Sequence, residues 1–234
     1  MIAISERLKQ IAIHIPNGSN FADIGSDHAF LSAFLCLKDS EMSAIAGEVR
    51  QGPFEAAVNT VKKFQLTNQI DVRLGDGLEV INQTDVIDTV VIAGMGGKLI
   101  IKILMEEPDI RKRINRFILQ PNTFPEEVRA QCEKWGIPLS YESIVEDQGH
   151  LYEILIFDRS EVSAYNPHIN LNKQFLFGPY LMKEKPALFI KKWQYKYKQT
   201  KQIVERMKQG KHIDQAAQNE LQMRLKWMEE LLYE

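Results

Sequence analysis

The sequence predicts an α/β protein built on a mostly parallel sheet, followed by a separate helical module. Three observations carry that prediction. Short apolar runs of strand length alternate with helical stretches through the first two thirds of the chain, and the first four runs end in glycine or acidic residues. Two later runs, 138–145 and 151–158, are joined directly by Glu146-Asp147-Gln148-Gly149-His150, the pattern of an antiparallel hairpin. After Asn166-Pro167 strand alternation stops and the charge balance reverses. Residues 1–165 hold 16 Lys and Arg against 24 Asp and Glu, whereas residues 166–234 hold 13 against 7. A reversal of that size predicts two modules with different partners, 1–165 and 166–234.

Taken in order, residues 3–15 place Ile4, Leu8, Ile11 and Ile15 on one helical stripe. Pro16-Asn17-Gly18-Ser19 breaks it, and Phe21-Ala22-Asp23-Ile24 forms the first strand, ending at Gly25. A helix follows over about 28–38, then a strand over 42–47 that ends at Glu48. Residues 53–66 read as a helix with Pro53 in its first turn. Further strands fall at 70–74, 89–93 and 116–120. Helical connections between strands require a parallel sheet covered on both faces. In the second module, 184–209 and 213–233 read as helices. Phe189, Trp193, Tyr197 and Met207 share one face, and Ala217, Leu221, Leu225, Met228 and Leu232 another. Gly210 between them marks the turn of an antiparallel helical hairpin.

Composition narrows the function classes. With 234 residues, 44% hydrophobic and 26% charged, the chain has the make-up of a water-soluble protein. No apolar stretch approaches the roughly 20 residues a membrane helix needs. The first 16 residues carry Glu6, Arg7, Lys9 and His14, which suits an amphipathic helix and not a signal peptide. Cys36 and Cys132 are far apart without zinc-like spacing, so neither a disulfide framework nor a metal site is expected, and a cytoplasmic setting is.

Chemistry in such a sheet sits beyond the carboxyl ends of the strands, where strand order reverses. Four strand ends carry suitable residues: Asp23-Ile24-Gly25-Ser26-Asp27-His28, Gly47-Glu48, Gly75-Asp76-Gly77 and Ala93-Gly94-Met95-Gly96-Gly97. Gly25 allows close backbone approach to a ligand. Glu48, about 20 residues beyond the first loop, can accept hydrogen bonds from two ribose hydroxyls. Asp76 can accept from an adenine amino group, and Gly77 leaves its own N–H accessible. Singly, each could be an ordinary turn or a solvated loop residue; together, at successive strand ends, they predict one cofactor site. A dinucleotide is disfavoured, because Gly25 is followed by Ser26, Asp27, His28, Ala29 and Phe30, so two fingerprint glycines are missing and Asp27 would repel phosphate. An acidic first loop suits a cofactor with a cationic centre and a free amino group, as S-adenosylmethionine has.

The segment from Ala22 to Leu31 resembles the first motif of the TrmK family, bacterial tRNA adenine-22 N1-methyltransferases. So do Gly47-Glu48-Val49 with Gly52-Pro53, Arg73-Leu74-Gly75-Asp76-Gly77-Leu78, Ile92-Ala93-Gly94-Met95-Gly96-Gly97 and Leu119-Gln120-Pro121-Asn122. The likeness runs from Arg7 through Phe157 and continues weakly through Phe177-Gly178-Pro179. It implies a Rossmann-like class I methyltransferase sheet, strand order 3-2-1-4-5-7-6, with a C-terminal α-helical hairpin. It also implies that Arg7, Asp23, Ser26, His28, Val49, Ala93, Gly94, Met95 and Gly96 join Gly25, Glu48, Asp76 and Gly77 in holding S-adenosylmethionine, and that the substrate is tRNA.

Attack by adenine N1 on a sulfonium methyl needs no prior proton loss and leaves a cationic base. A carboxylate accepting from the adenine amino group would orient the base and stabilise that charge. Asp27 is the candidate, with Asn122 on the base edge and His28 either orienting Asp27 or touching cofactor. Met95 is expected to pack against cofactor or base. In the second module ten Lys and Arg against two acids between 183 and 211 point to phosphate binding, with Lys183, Lys185, Lys191, Lys192, Lys196 and Lys198 as contacts. The interleaved Phe189, Trp193, Tyr195 and Tyr197 either pack inside the hairpin or stack on bases. Two other functions fit the same residues: methylation of a small molecule or protein, and RNA binding without catalysis.

Overall fold

A computed structural model describes residues 2–209 and 215–233. The chain divides into two compact units, Met1–Tyr165 and Asn166–Glu234. The first holds a seven-stranded sheet of order β3-β2-β1-β4-β5-β7-β6. Strands β1 (Asn20–Ile24), β2 (Ser43–Glu48), β3 (Ile70–Leu74), β4 (Thr89–Gly96) and β5 (Arg116–Thr123) are parallel. Strand β7 (His150–Asp158) runs antiparallel to β5 and to β6 (Leu139–Asp147). The order and the parallel core are as the resemblance implied. Phe21, Ala22, Val90, Val91, Ile92, Phe117, Ile118 and Leu119 are buried, which is why β1, β4 and β5 read as apolar runs, interrupted in β1 by Asp23.

Between the strands lie α1 (Glu6–Ala12), α2 (Phe30–Cys36), α3 (Gln51–Lys63), a 3₁₀ turn (Gly77–Val80), α4 (Gly97–Glu106), α5 (Pro108–Arg113) and α6 (Pro125–Lys134). Ser5 caps α1, its hydroxyl accepting from Leu8 N–H at 3.3 Å. Several boundaries differ from those the sequence suggests, each for a local reason. The second helix starts at Phe30 and not at 28, because Asp27, His28 and Ala29 adopt left-handed backbone. The connection of the β6–β7 hairpin shrinks to Gln148-Gly149, with φ of 50° and 78°, the positive values a tight two-residue hairpin turn needs. Strands β4 and β5 each run three residues past their apolar stretches. Their pairing continues with register shifts around Met95, which faces Pro121, so Ala93-Gly94-Met95-Gly96 is an irregular strand end and not a loop.

A buried ion network ties α6 to the hairpin. Arg129 donates to Glu142 through Nε at 2.8 Å and to Glu153 through Nη2 at 2.7 Å, and all three side chains are buried. Burial works against the guanidinium charge, but the two carboxylates more than offset it and raise the Arg129 pKa.

The second unit contains α7 (Leu171–Phe177), α8 (Pro179–Glu184), α9 (Ala187–Gln209) and α10 (Gln215–Tyr233). The helix expected over 184–209 begins at Ala187, because α8 ends at Lys185 in left-handed backbone with Pro186 following. Helices α9 and α10 pack on one another. Tyr197 donates to Glu229 at 2.8 Å and Lys185 to the Leu231 carbonyl at 2.9 Å. Phe189 and Trp193 are buried, the latter edge-on to Phe177 with centroids 4.5 Å apart. On α10, Met228 and Leu231 form the buried seam, while Leu232 is only partly covered. The expected turn at Gly210 lies outside the described residues.

Replacing Arg129 with Met leaves two carboxylates buried without their cation. We expect a loss of about 3–5 kcal/mol in urea unfolding, the usual cost of removing one partner from a buried ion network. An unchanged midpoint would show that the network does not hold α6 to the hairpin.

Candidate active site

The carboxyl end of β1 turns through a strained loop. Gly25 has φ of 70°, and Asp27, His28 and Ala29 follow with 43°, 72° and 57°. Each left-handed non-glycine residue costs roughly 1–2 kcal/mol, so the surroundings must impose the shape. Part of that imposition is visible: the N–H groups of Gly25 and Ser26 both donate to the Gly47 carbonyl, at 2.9 and 3.3 Å. Gly25 is also held against β4, since a Cβ there would collide with the Met95 methyl. The loop thereby joins the ends of β1, β2 and β4.

Three acids gather on this junction. Glu48 is buried at the end of β2 and accepts from Ser26 Oγ at 2.8 Å. Asp23 is buried in β1 and accepts from Ser32 Oγ of α2 at 3.1 Å. Burial pushes its carboxyl up to about 7, the charges of Glu48 and Asp27 add to the rise, and the Ser32 hydrogen bond opposes it. Asp27 faces solvent, its side chain 90% exposed, with His28 Nε2 3.6 Å from its Oδ1. The His28 ring stacks on Phe30 at 5.4 Å. A strand-end junction bearing these three carboxyl groups favours a cationic ligand.

Beside it, the ends of β4 and β5 share a hydrogen-bonded cluster with α1. Gln120 Oε1 accepts from Arg7 Nη1 at 2.6 Å and from Gly94 N–H at 3.0 Å. Gln120 Nε2 donates to Asn122 Oδ1 at 3.1 Å, and Asn122 Nδ2 donates to the Gly94 carbonyl at 2.7 Å. Arg7 lies over the Tyr152 ring, 5.1 Å from its centroid, and its Nε is buried with no hydrogen-bond partner. Gly94 is needed here: its φ is 76°, and a Cβ would come within 3.2 Å of Arg7 Nη1.

The structure thus gathers Asp23, Gly25, Ser26, Glu48 and Met95 in one group and Arg7, Gly94 and Asn122 in a second, adjoining through Gly94-Met95. Val49 follows Glu48 and is exposed. Asp76 and Gly77 lie at the neighbouring strand end, where Gly75 N–H donates to the Glu48 carbonyl at 2.9 Å. The Asp76 N–H is taken by the Glu79 carboxylate. Ala93 is partly covered, and Gly96 precedes the first turn of α4. Gln120 is a functional residue that the motifs alone do not mark; its signal in the sequence is a glutamine following the apolar run of β5. Both thiols are buried, with Cys36 pushed up to about 12 and Cys132 also raised, so neither is a ready nucleophile. Among the described residues no group of three or more His, Cys, Asp or Glu is placed to hold a metal ion.

Of the cationic residues singled out in the second unit, Lys183, Lys185, Lys191, Lys196 and Lys198 are exposed. Lys192 sits over the Trp193 ring at 5.4 Å, and Lys185 is engaged by the Leu231 carbonyl.

Residues 21–230 match the family model of TrmK, described as tRNA (adenine(22)-N(1))-methyltransferase. The chain belongs to the TrmK family. A Bacillus subtilis (strain 168) member named tRNA (adenine(22)-N(1))-methyltransferase is 40% identical over 233 residues, covering 99% of this chain and 98% of its own. The crystal structure of B. subtilis TrmK superimposes with a TM-score of 0.90 at 40% identity, over 99% of this chain and all of that one (100%). Streptococcus pneumoniae Sp1610, solved in complex with S-adenosyl-L-methionine, gives a TM-score of 0.86 at 33% identity, over 99% of this chain and 100% of that one. With 99% of this chain covered in each case, those alignments extend through both of its units.

The Asp23 environment generates a pH prediction. Its folded pKa of about 7 exceeds the ordinary 3.8, so between those values the folded state keeps a proton that the unfolded chain has lost. Stability contributed by the site therefore falls as pH rises through that window and levels off above it. An Asp23→Asn variant should gain in melting temperature over the parent as pH rises from about 4 to 7, with the gain constant at higher pH. A pH-independent difference would mean that Asp23 is ionised in the folded protein throughout.

Proposed function

We propose that this chain is an S-adenosylmethionine-dependent methyltransferase that modifies N1 of an adenine in tRNA, adenine 22 by family kinship. The observation that carries the reading is the junction of β1, β2 and β4, where an acidic cluster adjoins a guanidinium with an unpaired buried N–H. S-adenosylmethionine suits both halves: it brings a cationic sulfonium with a transferable methyl, an amino group and a carboxylate. Arg7 would hold the carboxylate, and Asp23, Asp27 and Glu48 would favour the positive charge. Glu48 keeps Oε2 for ribose hydroxyls while Oε1 stays with Ser26. Asp76 would accept from the cofactor's adenine amino group, with the backbone at Val49, Gly77, Ala93, Gly94 and Gly96 lining the rest and Met95 packing beside it.

Exposed Asp27 is the group available to an incoming base. It would accept from the target adenine amino group and stabilise the cation left by methylation, with His28 setting its direction and Asn122 meeting the base edge. The catalytic role falls to residues 1–165 and tRNA binding to residues 166–234, where Lys183, Lys191, Lys196 and Lys198 can reach phosphates. Lys185 and Lys192 also lie on that unit. Buried Phe189 and Trp193 favour packing over base stacking for those two rings, whereas Tyr195 is 62% exposed. No described helix is long and apolar enough to cross a membrane; the substrate class makes the cytoplasm the proposed setting.

Incubating the full chain with labelled cofactor and bulk bacterial tRNA, then digesting to nucleosides, should yield 1-methyladenosine. Labelling of another nucleoside, or none, would overturn the reading. An Asp27→Asn variant should lower the single-turnover rate about 100–1,000-fold at saturating tRNA, the usual effect of losing one preorganised electrostatic contact. A rate near that of the parent would remove Asp27 from the chemistry.

Replacing Lys183, Lys196 and Lys198 together with Glu should weaken tRNA binding and flatten its salt dependence, because fewer phosphate counterions are released. Cofactor affinity should not move. Unaltered tRNA affinity would leave the basic helix as a solvated face.

A further inference from the structure

We propose that Gln120 is a positioning residue that sets the orientation of the Asn122 side chain, with Arg7 as its anchor. The inference rests on the reading of Asn122 as the residue at the base edge. Gln120 is fully buried at the end of β5, a costly place for an amide unless its hydrogen bonds are made. Two N–H donors, from Arg7 and Gly94, converge on one of its atoms at 2.6 and 3.0 Å. That atom must be the carbonyl oxygen, since an NH₂ group there would face two donors. The other end of the amide is then necessarily a donor, and it meets Asn122 at 3.1 Å.

The same logic passes to Asn122. Its atom facing Gln120 must accept, so the remaining end is the NH₂, and that end donates to the Gly94 carbonyl at 2.7 Å. Turning the Asn122 amide over would oppose NH₂ to NH₂ at Gln120 and oxygen to oxygen at Gly94. Arg7, whose guanidinium can only donate, therefore dictates the polarity of an exposed side chain two hydrogen bonds away. One lone pair and one N–H of Asn122 remain uncommitted, in a fixed sense, to meet a base whose own donors and acceptors are fixed. An amide free to turn would spend half its time presenting the wrong partner.

Two substitutions separate this role from simple support. Gln120→Glu keeps acceptors for Arg7 and Gly94 but loses the donor to Asn122; Gln120→Met loses both sets with similar bulk. Each should lower the single-turnover methylation rate by about 10–100-fold, the scale of a misplaced catalytic group. Cofactor affinity should stay within about threefold in Gln120→Glu, whose anchor on Arg7 survives. In an Asn122→Ala background, Gln120→Glu should cost less than about twofold more, because a positioning residue has nothing left to position, whereas Gln120→Met still frees Arg7 and Gly94. Equal losses from Gln120→Glu with and without Asn122 would overturn the proposal, as would an Asn122→Ala variant of parental rate.

A readout independent of activity is the side-chain amide of Asn122 by ¹⁵N NMR. One exchange-protected proton, the N–H held by the Gly94 carbonyl, is expected in the parent, and rapid exchange of both amide protons in Gln120→Glu. Rapid exchange of both protons already in the parent would sink the idea. If the parent transferred no methyl group to tRNA, the functional reading would fall, while these signals would still decide whether Gln120 holds Asn122.

Discussion

Strand order in the first unit reverses between β1 and β4. Right-handed crossovers carry the helix after β1 to one face of the sheet and the helix after β4 to the other, so the chain parts above these two strands. The parting leaves backbone groups and short side chains at the strand ends without helical cover. Their hydrogen bonds must be found locally, and the site is the arrangement that satisfies them. The Gly47 carbonyl accepts two N–H groups of the first loop, and Gly94 offers both its N–H and its carbonyl to amide side chains of β5. Remove the reversal and none of these groups would lie beside one another.

Charge is distributed unevenly at this opening. Carboxylates crowd the β1–β2 side while the single guanidinium of Arg7 reaches the β4–β5 side from α1. At Asp23 burial, and after it the charges of Glu48 and Asp27, push the carboxyl up to about 7. A ligand cation would relieve that repulsion, and a ligand carboxylate would pair with Arg7. The two ends of an amino acid joined to a sulfonium match this division better than a pyrophosphate would, because phosphate would meet Asp27 at the loop.

The loop through Asp27, His28 and Ala29 is a place where local preference yields to position. Three successive left-handed residues without glycine are costly, although Asp27 and His28 are of types that tolerate that backbone better than Ala29 does. The conformation keeps Ala29 buried while leaving Asp27 and His28 in solvent. Helix α2 then starts without a side-chain cap, two residues later than its apolar spacing suggests. Strain stored beside exposed polar groups is common where a protein must present them in a set direction.

The sequence by itself determined the elements whose signal is burial. The strands around Phe21, Val90 and Phe117 and the β6–β7 pair were legible because interior strands must be apolar throughout and hairpins need a turn that admits positive φ. The glycine and acidic residues at strand ends marked the site for the same reason: side chains that neither pack nor favour regular structure need another purpose. What escaped was whatever depends on partners distant in the chain. Hydrophobic patterning could not show that β4 continues through Gly94-Met95, since that extension is held by pairing with β5. Nor could it show that Arg7, 113 residues from Gln120, closes on it. The buried seam of α10 follows Leu231 and not Leu232 because α9, and not the spacing of leucines, selects the inward face. Periodicity reports how each segment meets water. Only the tertiary structure decides which polar groups meet each other, because a hydrogen bond requires both partners to be in place.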